Sequence, residues 1–438
     1  MNPILTGILG IVFLVALVFF GIPVGPAMAV VGFIGLLVTF GSLSAAMAAL
    51  LSTPFYSVAN INLIVLPLFL LMGSFVVYGR ISTDGFLAAH KWVGRIPGSL
   101  SIATVLGCVG FGASSGSSIA AASVFTRIGL PEMKRAGYDI PNACGAIVAA
   151  SIIAMLIPPS LLFVFYAIMT EQNLAELLMA GLLPGLLLAG VLVLTIVVLA
   201  VKNPNLMPVH TVQANWREKM KSLLGLWPLC IIATIILVGI YTGAFSPTEA
   251  AAVGAFAALV MGFARKELTW LKVKDALLET AGFTAMLFIL LIGANLFTRF
   301  LSACGVTASL TQFVVGLELP KYVLLISSVL LFLLMGCLID EVSIMAITLP
   351  VIFKPLVTLG FDPIWFGVIV VLSTSIGKLT PPFGLGVFTV KAVVGSDVTA
   401  EQIFKGCTYY YISVLLCLAV LMIYPQISLF LPQTMIGD

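Results

Sequence analysis

Apolar runs of membrane-crossing length alternate along this chain with short polar interruptions that carry most of its charge. In order, the runs predict spans over 4–20, 24–41 and 61–79, a hairpin over 97–130, a broken span over 142–169, and a span over 177–200. The same order returns as 223–240, 249–264, 281–303, a hairpin over 321–354, a broken span over 364–394, and a last span over 403–430. A spanning helix needs about 20 apolar residues, so the pattern predicts an all-α polytopic membrane protein.

The second series repeats the first in detail. Gly137-Tyr138-Asp139 returns as Gly360-Phe361-Asp362, and Pro158-Pro159 returns as Pro381-Pro382, each 223 residues on. Ala175-Glu176 with Gly181 answers to Ala400-Glu401 with Gly406, and Gly73 answers to Gly293. The chain therefore divides into two repeat units, 1–215 and 216–438. An odd number of crossings between equivalent elements turns the second unit upside down, which makes the fold an inverted repeat of the kind found in secondary transporters.

Charge supplies the topology. Lys and Arg cluster at Arg80 to Arg95, Arg127 to Arg135, Lys202 to Lys221 and Arg265 to Lys274, whereas 171–176 and 241–248 contain none. The clusters are expected to be cytoplasmic, and both termini then fall on the periplasmic side. Segment 97–130 has basic residues beyond both ends, so it must enter the membrane and return, turning at Gly112-Ala113-Ser114-Ser115-Gly116-Ser117-Ser118. The second hairpin turns between Gly336 and Ser343. Each following span is broken by its double proline, which removes amide donors and drives the preceding residue out of helix. Irregular backbone at membrane depth is tolerated only where protein or a water-filled cavity satisfies it. Tips and breaks at one depth would offer carbonyls to Na+ and helix N-termini to an anion. Two pseudosymmetric cation sites flanking one anion site are expected.

With 61% hydrophobic residues, 8% charged and a mean hydropathy of +1.22, a soluble globule is excluded, since its charged fraction would be about 25%. The net charge of +3 is scattered over loops, so nucleic-acid binding has no footprint. The seven cysteines lack metal-ligand spacing and read as small core hydrophobes. His90 and His210 fall in polar loops and read as surface residues. Met1-Asn2-Pro3 offers no basic n-region, so the first helix is expected to be retained. With no histidine in a span and neither a Gly-x-Ser-x-Gly elbow nor an aspartate dyad, an intramembrane enzyme is disfavoured. A channel is disfavoured by the paired repeat.

Candidate site residues follow from the interruptions. Four serines at the first tip exceed what small-residue packing requires. Asp340, in an apolar run at the second tip, is an intramembrane carboxylate and functional by default, the alternative being a helix cap. Arg299 either binds an anion or snorkels to the interface; the anion role is favoured. Glu249 completes a capping box in Ser246-Pro247-Thr248-Glu249 and receives no transport role. Lys378, three residues before Pro381, is open to three roles: pairing with Glu341, contacting substrate, or standing in for a cation. Substrate contact is favoured because the residue lies beside the expected anion site.

Gly-Ala-Ser-Ser-Gly-Ser-Ser (112–118), Leu-Pro-Glu-Met-Lys-Arg-Ala-Gly-Tyr (130–138), Ile-Pro-Pro-Ser (157–160), Ala-Gly-Leu-Leu-Pro-Gly (180–185), Ser-Pro-Thr-Glu-Ala-Ala-Ala (246–252) and Thr-Pro-Pro-Phe-Gly (380–384) together resemble the large membrane subunit of tripartite ATP-independent periplasmic (TRAP) transporters. The resemblance covers essentially the whole chain. It implies an ion-transporter-superfamily fold and Na+-driven uptake of a small organic anion (carboxylate, sugar acid or sulfonate) by an elevator mechanism in the bacterial inner membrane. It also implies a soluble periplasmic substrate-binding protein and a small four-helix membrane subunit, expected here as a separate chain. About two Na+ sites are expected, one at Ser115, Gly116, Ser117 and Pro158, the other at Asp340, Ser343, Thr380 and Pro381. Substrate contacts are assigned to Arg299, Ser117, Asp340 and Lys378. Lys378 and Glu341 depart from the family pattern, which usually has an uncharged residue where Lys378 stands. The alternative is a proton-coupled organic anion carrier, with Asp340 and Glu341 carrying the protons.

Overall fold

The computed structural model describes residues 3–94, 96–208, 215–316 and 320–435. No strand occurs among them. The first half contains α1 (Pro3–Phe19), α2 (Val24–Phe40), α3 (Leu43–Val58), α4 (Val65–Tyr78), α5 (Ile81–Val93), α6 (Ser99–Ser115), α7 (Ser118–Arg135), α8 (Ile140–Leu156), α9 (Leu161–Thr170) and α10 (Leu174–Lys202). After α11 (Trp216–Leu224) come α12 (Trp227–Tyr241), α13 (Pro247–Ala264), α14 (Trp270–Ala303), α15 (Val306–Gly316), α16 (Lys321–Gly336), α17 (Glu341–Thr358), α18 (Pro363–Ile376), α19 (Leu385–Val394), α20 (Ala400–Ile423) and α21 (Gln426–Gln433).

The repeated Gly-aromatic-Asp motif has a direct structural meaning. Gly137 and Gly360 adopt φ of +76° and +84°, a left-handed conformation that glycine adopts without a Cβ penalty. Tyr138 and Phe361 are buried. Asp139 then caps α8 by accepting from the Asn142 amide at 3.0 Å, and Asp362 caps α18 by accepting from the Ile364 amide at 2.8 Å. Each motif thus ends a hairpin and launches a broken helix. In α13 the Ser246 amide donates to the Glu249 carboxylate at 2.8 Å, which closes the capping box.

Small residues let helices meet backbone to backbone. A Cβ on Gly293 of α14 would lie 2.1 Å from the Gly25 carbonyl oxygen of α2, and one on Gly32 would lie 2.7 Å from the Leu296 carbonyl carbon. A Cβ on Gly406 of α20 would lie 2.0 Å from the Pro141 oxygen at the start of α8. Outward-facing side chains such as Phe19, Leu51 and Phe256 are exposed and apolar, as a lipid-facing or partner-facing surface requires.

Several boundaries differ from the sequence expectation. Helix α3 was not expected, because its Ala- and Ser-rich run contains Pro54 and its apolar signal is weak. The span 61–79 is a one-turn 3₁₀ segment, Ile61–Ile64, followed by α4. Helix α14 runs for 34 residues instead of starting at 281, since Thr269 caps it and its charged first turns are largely exposed. The span 223–240 is a pair, α11 and α12, bent by 53°. The arm α7 continues through Pro131 to Arg135, and the last span stops at Ile423, just before Pro425. His90 lies within α5, stacked on Phe86 with ring centroids 6.4 Å apart, rather than in a loop. His210 lies outside the described residues.

Candidate functional site

The first hairpin turns on Gly116, whose φ is +61°. Its amide returns to the Gly112 carbonyl at 3.3 Å. Ser117 opens α7, its hydroxyl accepting from the Ala120 amide at 3.3 Å. The tip sits directly on the first break: a Cβ at Gly116 would lie 2.0 Å from the Pro159 carbonyl oxygen, and one at Gly112 would lie 2.9 Å from Ala154 Cα. Beyond the cis Pro158-Pro159 bond, Ser160 caps α9 through the Phe163 amide at 3.4 Å. Ser115, Gly116 and Pro158 are buried, and Ser117 is half-buried. Gly73 of α4 presses on Ser115, to whose Cα a Cβ there would come within 3.1 Å.

The second hairpin repeats this seating. Asp340 caps α17, its carboxylate accepting from the Ser343 amide at 3.0 Å. Gly336, at the end of α16, packs on Gly377, where a Cβ would lie 2.3 Å from the Gly336 carbonyl carbon. Helix α18 passes through a 3₁₀ turn, Gly377–Leu379, into Thr380 and the cis Pro381-Pro382 bond. The Thr380 hydroxyl donates to the Ile376 carbonyl at 3.3 Å. Thr380 and Asp340 are half-buried, and Pro381 is exposed.

Lys378 joins the two hairpins. Its ammonium forms an ion pair with the Glu341 carboxylate and donates to the Ser118 hydroxyl. Lys378, Glu341 and Ser118 are 2%, 4% and 1% exposed, and the Ser375 hydroxyl reaches the same Glu341 oxygen at 3.4 Å. The pairing with Glu341, one of the three roles open to Lys378 in the sequence, is thus realised. Ser118 and Ser375 were missed as its partners. Ser118 and Glu341 stand 223 residues apart as repeat equivalents, but nothing in the sequence pattern brings Ser118 to Lys378. Arg299 is not among these contacts: it is exposed on α14 and donates to the Ser52 hydroxyl of α3 at 3.4 Å.

This arrangement suits ion and solute handling rather than bond-making chemistry. Gly112-Ala113-Ser114-Ser115-Gly116 fits the Gly-x-Ser-x-Gly pattern of hydrolase elbows, but an elbow needs a strand-to-helix turn. Ser114 is instead fully buried in α6, where its hydroxyl donates to the Phe111 carbonyl at 3.0 Å. No cluster of three or more His, Cys, Asp or Glu occurs among the described residues. The donors gathered at tips and breaks are hydroxyls, carbonyls and the carboxylates of Asp340 and Glu341, the latter already paired with Lys378, an oxygen set suited to a hard cation.

Comparison with known proteins identifies the family. Residues 11–427 match the family model described as the tripartite ATP-independent periplasmic transporter, DctM component. A C4-dicarboxylate TRAP transporter large permease protein of Pseudomonas aeruginosa is 33% identical over 374 residues, covering 85% of this chain and 86% of that protein. An ectoine/5-hydroxyectoine TRAP transporter large permease protein of Ruegeria pomeroyi is 32% identical over 423 residues, covering 95% and 96%. The solved YdaH transporter of Alcanivorax borkumensis superposes with a TM-score of 0.59 at 16% identity, over 97% of this chain and 98% of that one, so the fold is shared. With its paired hairpins, paired breaks and full-length match, the chain belongs to the large membrane permease family of TRAP transporters, and it is a transporter component rather than an enzyme.

Proposed function

We propose that the chain carries out Na+-coupled uptake of a small organic anion, a carboxylate, sugar acid or sulfonate, across the bacterial inner membrane, with both termini periplasmic. The observation that carries this reading is the seating of each hairpin tip on a double-proline break, through Gly116 on Pro159 and Gly336 on Gly377. Such seats bring together helix C-termini, which favour cations, and helix N-termini, which favour anions. One Na+ is assigned to Ser115, Gly116, Ser117 and Pro158, and another to Asp340, Ser343, Thr380 and Pro381. When bound, Na+ neutralises the carbonyl ends of the broken helices and makes the anion's binding depend on the ion gradient. Ser117 and Asp340 border the anion site, and Arg299 offers a planar fork to the substrate's charged group.

The tripartite description of the family supports two partners, a soluble periplasmic binding protein that delivers substrate and a small four-helix membrane subunit. The hairpins and broken helices are the elements assigned to move, in an elevator, against the α2–α14 scaffold. A proton-coupled carrier would draw on Asp340 and Glu341, but one already caps α17 and the other is ion-paired. Proteoliposomes containing the complete complex decide between the ions. Uptake should follow an imposed Na+ gradient and vanish when choline replaces Na+. Uptake driven by a proton gradient in choline would overturn the Na+ reading.

A further inference from the structure

Lys378 is placed where it touches equivalent points of both repeat units. Ser118 and Glu341 are each the first residue of the returning hairpin arm, directly after the caps Ser117 and Asp340. One ammonium bridges them from a position almost free of solvent. The repeat equivalent of Lys378 is Met155, an apolar residue 5% exposed, so the bridge is supplied from one break only. The backbone makes room for it: a Cβ at Gly384 would lie 2.4 Å from the Lys378 carbonyl oxygen, and one at Gly386 would lie 3.2 Å from Lys378 Cβ.

A cation held between oxygens of two hairpins does what a bound alkali ion would do there. It neutralises Glu341 and draws Ser118 toward the second hairpin, and it does not leave when the Na+ concentration falls. The positive N-terminal ends of α7 and α17 both face this point, which is unfavourable for a lone ammonium. Glu341 supplies the compensating charge, and the Ser375 hydroxyl satisfies part of its remaining hydrogen-bonding capacity.

We propose that the Lys378 ammonium is a tethered cation that ties the two hairpin tips together in place of a metal ion, and that its removal turns the Glu341–Ser118–Ser375 pocket into an alkali-cation site. This goes beyond Na+-coupled uptake and rests on that reading only in naming Na+ as the ion recruited. Lys378 is a positioning residue; the test is therefore ion dependence rather than stability alone.

The full chain is purified as wild type, Lys378→Met and Lys378→Met/Glu341→Gln, and its Tm is followed through an NaCl titration with choline chloride holding ionic strength constant. A ligand that binds only the folded state raises stability with its concentration. Lys378→Met should show a steeper Na+ dependence than wild type, corresponding to one additional bound ion, and the double variant should return to the wild-type slope. An unchanged slope in Lys378→Met, or a gain that persists in the double variant, overturns the proposal. If Lys378→Met aggregates in choline, extraction in NaCl should recover it; failure to recover it in either salt also counts against a recruited ion. The wild-type curve separates the two readings, because a wild type indifferent to Na+ removes the coupling reading, while a Na+ response gained in Lys378→Met would still support the tethered cation.

Discussion

The two double-proline breaks share a backbone plan and differ in almost everything else. At the first, Pro158, Pro159 and Ser160 are buried, Met155 is apolar, and the tip above it is a run of serines. At the second, Pro381 and Pro382 are exposed, Phe383 is 57% exposed, and the neighbouring groups are Asp340, Glu341 and Lys378. The flanking seams differ in the same way. Between α7 and α19 lies a cleft of about 610 Å³ lined by Ile119, Ser123, Arg127, Thr389, Ala392 and Val393. At the equivalent seam, between α17 and α9, the position matching Thr389 is Tyr166, which packs edge-on against Phe353 at 6.1 Å and donates to the Pro363 carbonyl at 2.7 Å. Duplication supplied the frame, and divergence placed the charge and the opening on one side of it.

The sharpest way to break this comparison is to remove the charge. Lys378→Gln leaves Glu341 buried without its partner, so it should lose about 3–5 kcal/mol of stability. The double variant with Glu341→Gln should recover most of that, as a thermal-unfolding cycle would read. At the first break Met155→Leu should cost under about 1.5 kcal/mol, because volume is conserved. Equal losses at both positions would mean that the charged bridge adds nothing to the second break.

Next in size, Gly116→Ala places a Cβ against the Pro159 oxygen at a left-handed φ and should cost about 3 kcal/mol. Gly377→Ala, at an ordinary right-handed φ of −54°, carries only the clash with Gly336 at the second seat and should cost about 1–3 kcal/mol. Gly305→Ala is the control, since Gly305 has φ +70° and open space around it; only the left-handed penalty of about 1–2 kcal/mol applies there. A Gly116 variant no worse than the control, by Tm, would show that the tip can leave its seat freely.

The smallest effects are on ion affinity. Ser115→Ala and Thr380→Ala should each raise the Na+ concentration for half-maximal uptake about tenfold, the effect of losing one hydrogen-bond-strength contact to a charge. Unchanged values in both would remove the sodium assignment from both tips at once.

What could be read ahead of the structure was whatever the duplication had written twice. The Gly-Tyr-Asp and Gly-Phe-Asp motifs, the double prolines and the hairpin turns all fell where expected, because left-handed glycines, helix caps and missing amides act locally. Helix α3 escaped notice because Ala, Ser and Pro54 weaken its apolar signal, and its equivalent is absorbed into the unbroken α14. Helix α5 falls within the basic cluster Arg80 to Arg95, and the segment of α15 received no assignment. Lys378 was recognised as needing a partner, but reaching Ser118 depends on a contact across 260 residues, which no local pattern encodes.

The contact between α2 and α14 has a mechanical corollary. Where Gly25 meets Gly293, main chain touches main chain, and no rotamer change can absorb a displacement. These two helices must travel together or stay still together. Any sliding during a transport cycle has to be taken up where side chains intervene, and the seam of α7 against α19, lined in part by Arg127, is of that softer kind.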